Sequence, residues 1–321
     1  MTESLKEPGA GDGQPETGEA ERFRSLLVPV DLTAISDRVL GRVTLLPLAD
    51  GARVTLLHVV PGNLPARAQD RAERDARRAL ADEARHLAKA LPRGVDVEPV
   101  VKIGSSAAEI AGCATSTGAE LIVMGRGGGR ALRDTFLGST AERVIRRGQF
   151  PVLAVRLAPR AAYGRPAVAL DLEQGSTDAL ALTLRLIPTP RPRATVIHAL
   201  DTPYRGVAYP SLSEEDAEEW RSELERTATQ QIAKLLAASL AQAKVRPAEA
   251  PPWKTHVRCG SPRRVIEKAV KKADSDLLVL GTHGYSGVAH VFLGTVAGDV
   301  LRQVACDVLV VPARPRAEEP E

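Results

Sequence analysis

Two glycine-rich loops, one in each half of the chain, carry the residue types and the spacing that suit phosphate binding. They share the pattern G-x2-G-x9-G-[ST], formed by Gly125, Gly128, Gly138 and Ser139 in the first half and by Gly281, Gly284, Gly294 and Thr295 in the second. Glycine lacks a Cβ atom, so backbone N–H groups of such a loop can approach an anion closely. A helix that begins at the Ser or Thr adds unpaired N–H groups and a dipole that favours negative charge. The pattern therefore predicts an anion site in each half.

The same residues also have a purely structural interpretation. Glycines after a strand make ordinary turns, and Ser139 or Thr295 could simply cap a helix. Recurrence of the same spacing in both halves favours the anion site. Two better-known nucleotide loops do not fit, because GxxxxGK[ST] is absent and the segment GRGGGR neither matches GxGxxG nor follows the first strand of its unit.

The whole chain repeats itself, which makes the two loops parts of equivalent units. Asp31 near the start of the first half corresponds to Asp171 in the second, an offset of 140 residues. From Gly104 and Gly260 onward the offset is 156, so the second half carries 16 additional residues between its second and third strand-like segments. We therefore expect a tandem duplication with one insertion.

Each half of the sequence alternates short apolar strands with helices. The predicted strands of the first half are residues 26–31, 54–60, 95–103, 120–125 and 151–156, and its predicted helices are 36–49, 68–91, 107–118 and 140–148. The second half follows the same order, with a longer second helix over 213–244. Apolar strands separated by helices favour a parallel sheet that is buried on both faces. We therefore predict two α/β domains that join near residues 158–164.

Length and composition agree with two globular domains and exclude several kinds of site. The chain has 321 residues, more than the roughly 100–200 of a typical domain, and 44% of them are hydrophobic. The net charge is only +3 and aromatic residues make up 3%, which argues against a nucleic-acid partner. Cys113, Cys259 and Cys306 lie far apart without CxxC spacing, which argues against a zinc site or a disulfide framework.

The two chain ends differ in composition from the rest. Residues 1–22 are rich in Gly, Pro and Glu, and we expect them and residues 313–321 to be disordered tails. The N-terminal segment has no apolar stretch typical of a signal peptide, and no apolar run elsewhere reaches the length of a membrane span. We therefore expect a cytoplasmic protein without a membrane partner.

Several motifs resemble those of a known family. Asp31 at the end of the first strand, the His-Val pair at 58–59, and the segments IVMGRGG, LGSTAERVIRR and FPVLAVR resemble the nucleotide-binding kind of universal stress protein. The resemblance covers residues 23–157 and 165–312, which would be two tandem domains with residues 158–164 as their linker. For each domain it implies a flavodoxin-like (Rossmann-like) fold, with a five-stranded parallel sheet and helices on both faces. It also implies ATP at the carboxyl edge of the sheet, together with Mg²⁺ or Mn²⁺.

The resemblance further assigns individual residues to the nucleotide. In the first domain the residues expected around the adenosine are Pro29, Asp31, Val59, Met124 and Gly125, and those expected around the phosphates are Gly128, Gly138, Ser139 and Thr140. The matching positions of the second domain are Asp171, Ala199, Leu280, Gly281, Gly284, Gly294, Thr295 and Val296. The second domain departs from the first where Ala169 replaces Pro29 and Ala199 replaces Val59. Both changes touch the base pocket and leave the phosphate loop intact.

The aspartates and histidines at the strand ends allow more than one role. Asp31 and Asp171 suit either a ligand contact or the cap of the helix that follows. His58 and His198 each lie within an apolar strand, which favours a packed, hydrogen-bonded side chain over a catalytic one. We therefore assign no catalytic residue.

These features together favour a regulatory stress-response protein that binds ATP in one or both domains. A nucleotide-dependent surface would then act on a regulatory protein partner. An enzyme, either a slow ATPase or a phosphotransferase, is the alternative, but no general base accompanies the aspartates in the repeat. An interaction scaffold without nucleotide is the third possibility, although two matched anion loops argue against it.

The last strand of each domain is expected to join the two halves. Domains of the resembling family commonly pair through their fifth strands, which would place residues 151–156 against 307–312. Such pairing hides an apolar edge strand that would otherwise promote aggregation. We therefore expect an intrachain pseudo-dimer, which could associate further as a homodimer.

Overall fold

Both halves of the chain consist of alternating strands and helices. The computed structural model describes residues 22–33, 36–125, 139–172, 175–200, 213–282 and 295–312. The first half contains β1 (Phe23–Pro29), α1 (Ser36–Val43), β2 (Leu48–Pro61), α2 (Ala66–Ala90), β3 (Asp96–Gly104), α3 (Ser106–Thr117), β4 (Leu121–Gly125), α4 (Ser139–Arg147) and β5 (Val152–Val155). The second half contains β6 (Pro166–Leu170), α5 (Gly175–Leu186), β7 (Ala194–Leu200), α6 (Glu214–Gln242), β8 (Trp253–Cys259), α7 (Pro262–Ala273), β9 (Leu277–Thr282), α8 (Thr295–Gln303) and β10 (Asp307–Pro312).

The ten described strands form one continuous sheet. Their order is β3-β2-β1-β4-β5-β10-β9-β6-β7-β8, so each half extends outward from a shared centre. Neighbouring strands are parallel within each half, whereas β5 and β10 are antiparallel. Each half thus has the strand order 3-2-1-4-5 of a Rossmann-like, doubly wound sheet. This confirms the predicted α/β fold class.

Hydrophobic cores cover both faces of the sheet. Leu121 and Val123 of β4 belong to the cluster on one face, whereas Ile122 of the same strand belongs to the cluster on the other. All three side chains are fully buried. Side chains of a strand alternate between the two faces, so a strand covered on both sides must be apolar throughout. The continuous apolar runs of the sequence are therefore the central strands.

The first helix is shorter than the sequence predicts. Helical spacing extends over 36–49, but α1 ends at Val43 and β2 begins at Leu48. Thr44 donates its hydroxyl back to a carbonyl of the helix at 2.9 Å, and Pro47, which has no N–H group, cannot continue it. The prediction is therefore wrong beyond Val43, and the apolar residues that follow belong to the strand.

The insertion in the second half lengthens its second helix and the segment after it. The helix α6 has 29 residues where α2 has 25. It begins at a capping box in which the side chains of Ser213 and Asp216 bond each other's backbone N–H groups. A 3-10 turn, Pro247–Glu249, lies between α6 and β8. The long helix predicted over 213–244 is thus confirmed.

The two halves meet along β5 and β10. The register places Leu153 opposite Leu309 and Ala154 opposite Val308, and all four side chains are fully buried. The pairing that the sequence predicts for these two strands is therefore present. Each half thereby covers an apolar edge strand of the other.

A buried charge network lies at one end of this junction. Asp307 has no exposed surface, and its Oδ1 accepts the backbone N–H groups of Arg156 and Leu157 at 2.7 and 2.8 Å. Its Oδ2 accepts the hydroxyl of Tyr163 at 2.7 Å and lies 3.2 Å from Nε of Arg42. The guanidinium of Arg42 also lies 4.1 Å from the centre of the Tyr163 ring. One carboxylate thus connects α1, β10 and the segment that follows β5.

Candidate functional site

The strand order reverses between β1 and β4 in the first half and between β6 and β9 in the second. In sheets of this kind, ligands bind beyond the carboxyl ends of the strands at this reversal. The predicted contact residues at these strand ends are Pro29, Met124 and Gly125 in the first half and Leu280 and Gly281 in the second. Val59 lies near the end of β2 and Ala199 near the end of β7, each one strand away. The fold therefore brings the predicted adenosine contacts of each half to one edge of the sheet.

Asp31 and Asp171 organise the turns that follow β1 and β6. Oδ1 of Asp31 accepts the backbone N–H and the hydroxyl of Thr33, at 3.2 and 2.7 Å, and the hydroxyl of Ser36 at 2.9 Å. Oδ1 of Asp171 accepts the hydroxyl of Ser176 at 2.8 Å. Since the two serines lie at the starts of α1 and α5, each carboxylate ties a strand end to the next helix. These contacts hold the turns, while the cap role and the ligand role considered for the aspartates both stay predictions.

A strained backbone position follows each aspartate, and sequence reasoning missed it. Leu32 and Leu172 have φ angles of 56° and 67°. This left-handed region costs a residue with a Cβ atom about 1–2 kcal/mol. Such strain persists only where the surrounding structure enforces it, and it is frequent at ligand sites. No sequence signal marks these positions, because glycine or asparagine is the usual residue at such an angle.

The serine hydroxyls at the two turns should contribute measurably to stability. Ser36 and Ser176 are buried, whereas Asp31 and Asp171 are exposed, so replacing either serine by alanine removes one hydrogen bond to a carboxylate that water can still reach. We expect Ser36→Ala and Ser176→Ala each to lower the free energy of unfolding by about 1 kcal/mol, the net contribution of a typical intramolecular hydrogen bond. Chemical denaturation would measure the loss. Thr229→Ala removes an exposed hydroxyl on α6 and serves as the control, and an equal loss there would contradict the prediction.

His58 and His198 fasten the same strand ends from the neighbouring strand. Nδ1 of His58 lies 2.9 Å from the carbonyl oxygen of Val30, and Nδ1 of His198 lies 2.8 Å from that of Leu170. A carbonyl oxygen can only accept, so Nδ1 carries the proton in both rings. The two histidines are thus the packed, hydrogen-bonded residues that the sequence favours, and they position the turns that carry the aspartates.

The N-termini of α4 and α8 lie at the positions given by the glycine pattern. The helix α4 begins at Ser139 and α8 at Thr295, with Thr140 and Val296 in their first turns. Unpaired N–H groups and the helix dipole make such an N-terminus favourable for an anion. The other predicted phosphate contacts, which lie outside the described residues, are Gly128, Gly138, Gly284 and Gly294.

The end of β9 comes close to the start of α5. A Cβ atom placed on Gly281 would lie 3.7 Å from the carbonyl oxygen of Gly175, which is an ordinary van der Waals contact. A methyl group therefore fits at this position. A branched side chain would fill the space between the strand end and the helix, which is where the strand order reverses.

The described residues contain neither a metal cluster nor a membrane span. Within them, no three His, Cys, Asp or Glu side chains are grouped so that they would hold a metal ion. Burial raises the pKa of Cys306 to about 12, so its thiol stays protonated. The described helices also lack any segment that is long and apolar enough to cross a bilayer.

Comparison with known proteins assigns both halves to one family. The profile of the universal stress protein family matches residues 22–156 and 163–312. Universal stress protein Sll1388 of Synechocystis is 47% identical over 55 residues, which are 17% of this chain and 36% of that protein. A universal stress protein E homolog of Haemophilus influenzae is 38% identical over 55 residues, 17% of this chain and 18% of that protein. Both matches cover less than two thirds of the relatives' own lengths.

Solved structures superpose on 91% of the chain, across both halves. A universal stress protein from Archaeoglobus fulgidus superposes with a TM-score of 0.63 at 18% identity, over 91% of this chain and 99% of that one. A putative universal stress protein from Pseudomonas aeruginosa superposes with a TM-score of 0.57 at 19% identity, over 91% and 94%. Likeness at this level of identity shows the fold. Because the family profile covers both halves, the chain belongs to the universal stress protein family and carries the family's domain twice.

Proposed function

We propose that this chain is a regulatory stress-response protein that binds ATP where the strand order reverses, in one or both halves. One observation carries the proposal, namely that both halves build the same strained turn at this place. In each half an aspartate ties the turn to a helix, and the next residue is a leucine in the left-handed region. A turn that only connects a strand to a helix has no need of such strain at equivalent positions in both halves.

The proposed contacts divide the nucleotide between two kinds of protein group. Adenine would lie against the backbone near the ends of β2 and β7, at Val59 and Ala199. The phosphates would lie at the N-termini of α4 and α8, whose N–H groups favour negative charge. Valine offers more apolar surface than alanine, so the first half should bind the base more tightly than the second.

A divalent cation would accompany the phosphates. Mg²⁺ and Mn²⁺ prefer oxygen ligands, and Mg²⁺ in nucleotide sites is usually held by phosphates with one or two carboxylates. At each strand reversal the described residues supply one carboxylate, Asp31 or Asp171, whose Oδ1 already accepts hydrogen bonds from its turn. These residues therefore fit a cation that is held mainly by phosphate and water.

Measurement of bound nucleotide tests the proposal. Nucleotide that co-purifies with the native protein would be released, identified and quantified, and nucleotide-free protein would then be titrated with ATP in the presence of Mg²⁺. We expect at most one ATP per half, with the first binding event tighter than the second. Phosphate release from the same samples would separate binding from turnover. A chain that carries no nucleotide and binds none at millimolar ATP would overturn the proposal and favour a scaffold.

A further inference from the structure

A basic cavity of about 390 Å³ lies between β8 and α7, at the outer edge of the second half of the sheet. His256 and Arg258, two residues apart on β8, contribute side chains from the strand. Arg264, Lys268 and Lys272 contribute side chains from α7. Because these three residues recur every fourth position, they lie along one side of the helix. The cavity is therefore lined from two elements by cationic side chains.

The positive charge of this cavity has little compensation among the described residues. Nη1 of Arg258 lies 3.9 Å from Oε2 of Glu225 on α6, near the limit for an ion pair. In the described ranges, no carboxylate forms an ion pair with Arg264, Lys268 or Lys272, all of which are exposed. Like charges that line one cavity repel each other, so an anion that binds among them is favoured.

The pKa of the half-buried His256 ring responds to the same positive charges. Burial, followed by the charges of Arg258, Lys272 and Lys254, lowers the pKa of His256, while Glu225 acts weakly in the opposite direction. A neutral imidazole at neutral pH can donate or accept a hydrogen bond at the strand side of the cavity. An anion placed beside the ring would favour its charged form and raise the pKa again.

The corresponding surface of the first half lacks this charge. The offset of 156 residues aligns the three cations of α7 with Ala108, Gly112 and Ser116 of α3. The same offset aligns Arg258 with Lys102 of β3, which is the one counterpart that is also positively charged. Both halves share the fold, so folding of the domain does not require the cluster. The basic side chains therefore distinguish the second half in function rather than in architecture.

We propose that this cavity is a second anion site, which binds a small metabolite carrying two or more phosphate groups. The volume falls in the range of about 300–1,000 Å³ that is typical of small-molecule sites. Four permanent cations exceed what a single phosphate needs, and the two arginines can each bind phosphate oxygens in pairs. A nucleic acid fits less well, because no Phe, Tyr or Trp side chain for base stacking lines the cavity. This second site does not depend on ATP binding at the place where the strand order reverses.

Calorimetric titration with inorganic pyrophosphate and tripolyphosphate would test this site. In the cavity variant Arg264→Gln/Lys268→Gln, we expect pyrophosphate affinity to fall by about tenfold or more, through loss of charge-assisted hydrogen bonds. The control variant Arg263→Gln/Lys271→Gln removes the same charge from residues of α7 that do not line the cavity, and we expect less than about a twofold change. Equal weakening in the two variants would overturn the proposal.

Two further measurements keep this proposal separate from ATP binding. Pyrophosphate should raise the pKa of His256, followed by the NMR titration of a chain with only 6 histidines, and an unchanged pKa would contradict the site. Gly281→Val adds a branched side chain where the strand order reverses between β6 and β9. This variant should leave pyrophosphate binding to the cavity intact. Loss of pyrophosphate binding in that variant would overturn the second site. Tighter binding of a single-stranded oligonucleotide than of tripolyphosphate, abolished in the cavity variant, would also overturn it in favour of nucleic acid.

Discussion

Replacement of Asp307 by alanine is expected to lower the free energy of unfolding by about 3–5 kcal/mol, as for other broken buried ion pairs. The substitution leaves the guanidinium of Arg42 buried without its opposite charge. It also removes the acceptor of the Tyr163 hydroxyl and of the backbone N–H groups of Arg156 and Leu157. Burial, and next the negative charge of Asp307, raise the pKa of Tyr163 well above its usual value, so this hydroxyl stays a donor that needs an acceptor.

Chemical denaturation of Asp307→Ala, of Arg42→Met, of the two combined and of a control variant would measure this effect. Asp82→Ala is the control, because Asp82 is 59% exposed and its ion pair with Arg85 on α2 should contribute less than about 1 kcal/mol. The double variant Arg42→Met/Asp307→Ala should lose less stability than the sum of the single variants, since it no longer buries an unpaired charge. A loss in Asp307→Ala as small as that in Asp82→Ala would show that the network does not stabilise the junction.

The fold class could be predicted because its signals are local and occur twice. Central parallel strands such as β4 must be apolar on both faces, so they stand out as short hydrophobic runs between helices. The same order of elements occurs in both halves, and the predicted helix over 107–118 ends where Gly118, with a φ angle of 60°, adopts the left-handed conformation that glycine favours. Where a helix ends is less local, as α1 shows: its spacing continues past Val43, but Thr44 and Pro47 end it.

The charge network at the junction could not be predicted, because its members lie far apart in the chain. Arg42, Tyr163 and Asp307 have no common spacing, and each alone resembles an ordinary surface residue. The one available signal was an aspartate at the start of the apolar run DVLVVP. A carboxylate at the start of a strand that is buried on both faces needs partners, and here they come from α1 and from the segment after β5.

The basic cavity was not predicted from the sequence for a different reason. A net charge of +3 averages over the whole chain and hides a local excess of positive charge. Alignment of the two halves contained the missing signal, because Lys268 and Arg264 replace Gly112 and Ala108 on equivalent helices. Differences between two copies of one domain thus indicate specialised sites, whereas their shared residues, such as Asp31 and Asp171, indicate the common one.

Gly281→Val is expected to remove nucleotide from the second half, and Gly125→Val from the first, without unfolding either. Gly125 ends β4 and Gly281 is the second-last residue of β9, and extended backbone tolerates valine well. At position 281 the branched side chain would occupy the space beside the backbone of Gly175, at the strand reversal. We expect each variant to weaken ATP binding in its own half by about a hundredfold or more, which is a loss of about 2.7 kcal/mol in binding free energy. The reason is that the valine side chain is fixed to the strand and blocks the position that the ligand would occupy.

Titration with ATP separates the two sites when the glycine variants are compared with each other. Gly281→Ala is the matched control, because a methyl group at this position makes only an ordinary contact at 3.7 Å. We expect the affinity of this variant for ATP to fall far less than that of Gly281→Val. Thermal unfolding of all variants near the wild-type temperature would show that the fold is retained. If the first half binds the base more tightly, Gly125→Val removes the tighter event and Gly281→Val the weaker one. If the stoichiometry and affinity of ATP binding are unchanged in both variants, the nucleotide binds elsewhere. A ligand bound where the strand order reverses would be blocked by the added side chain.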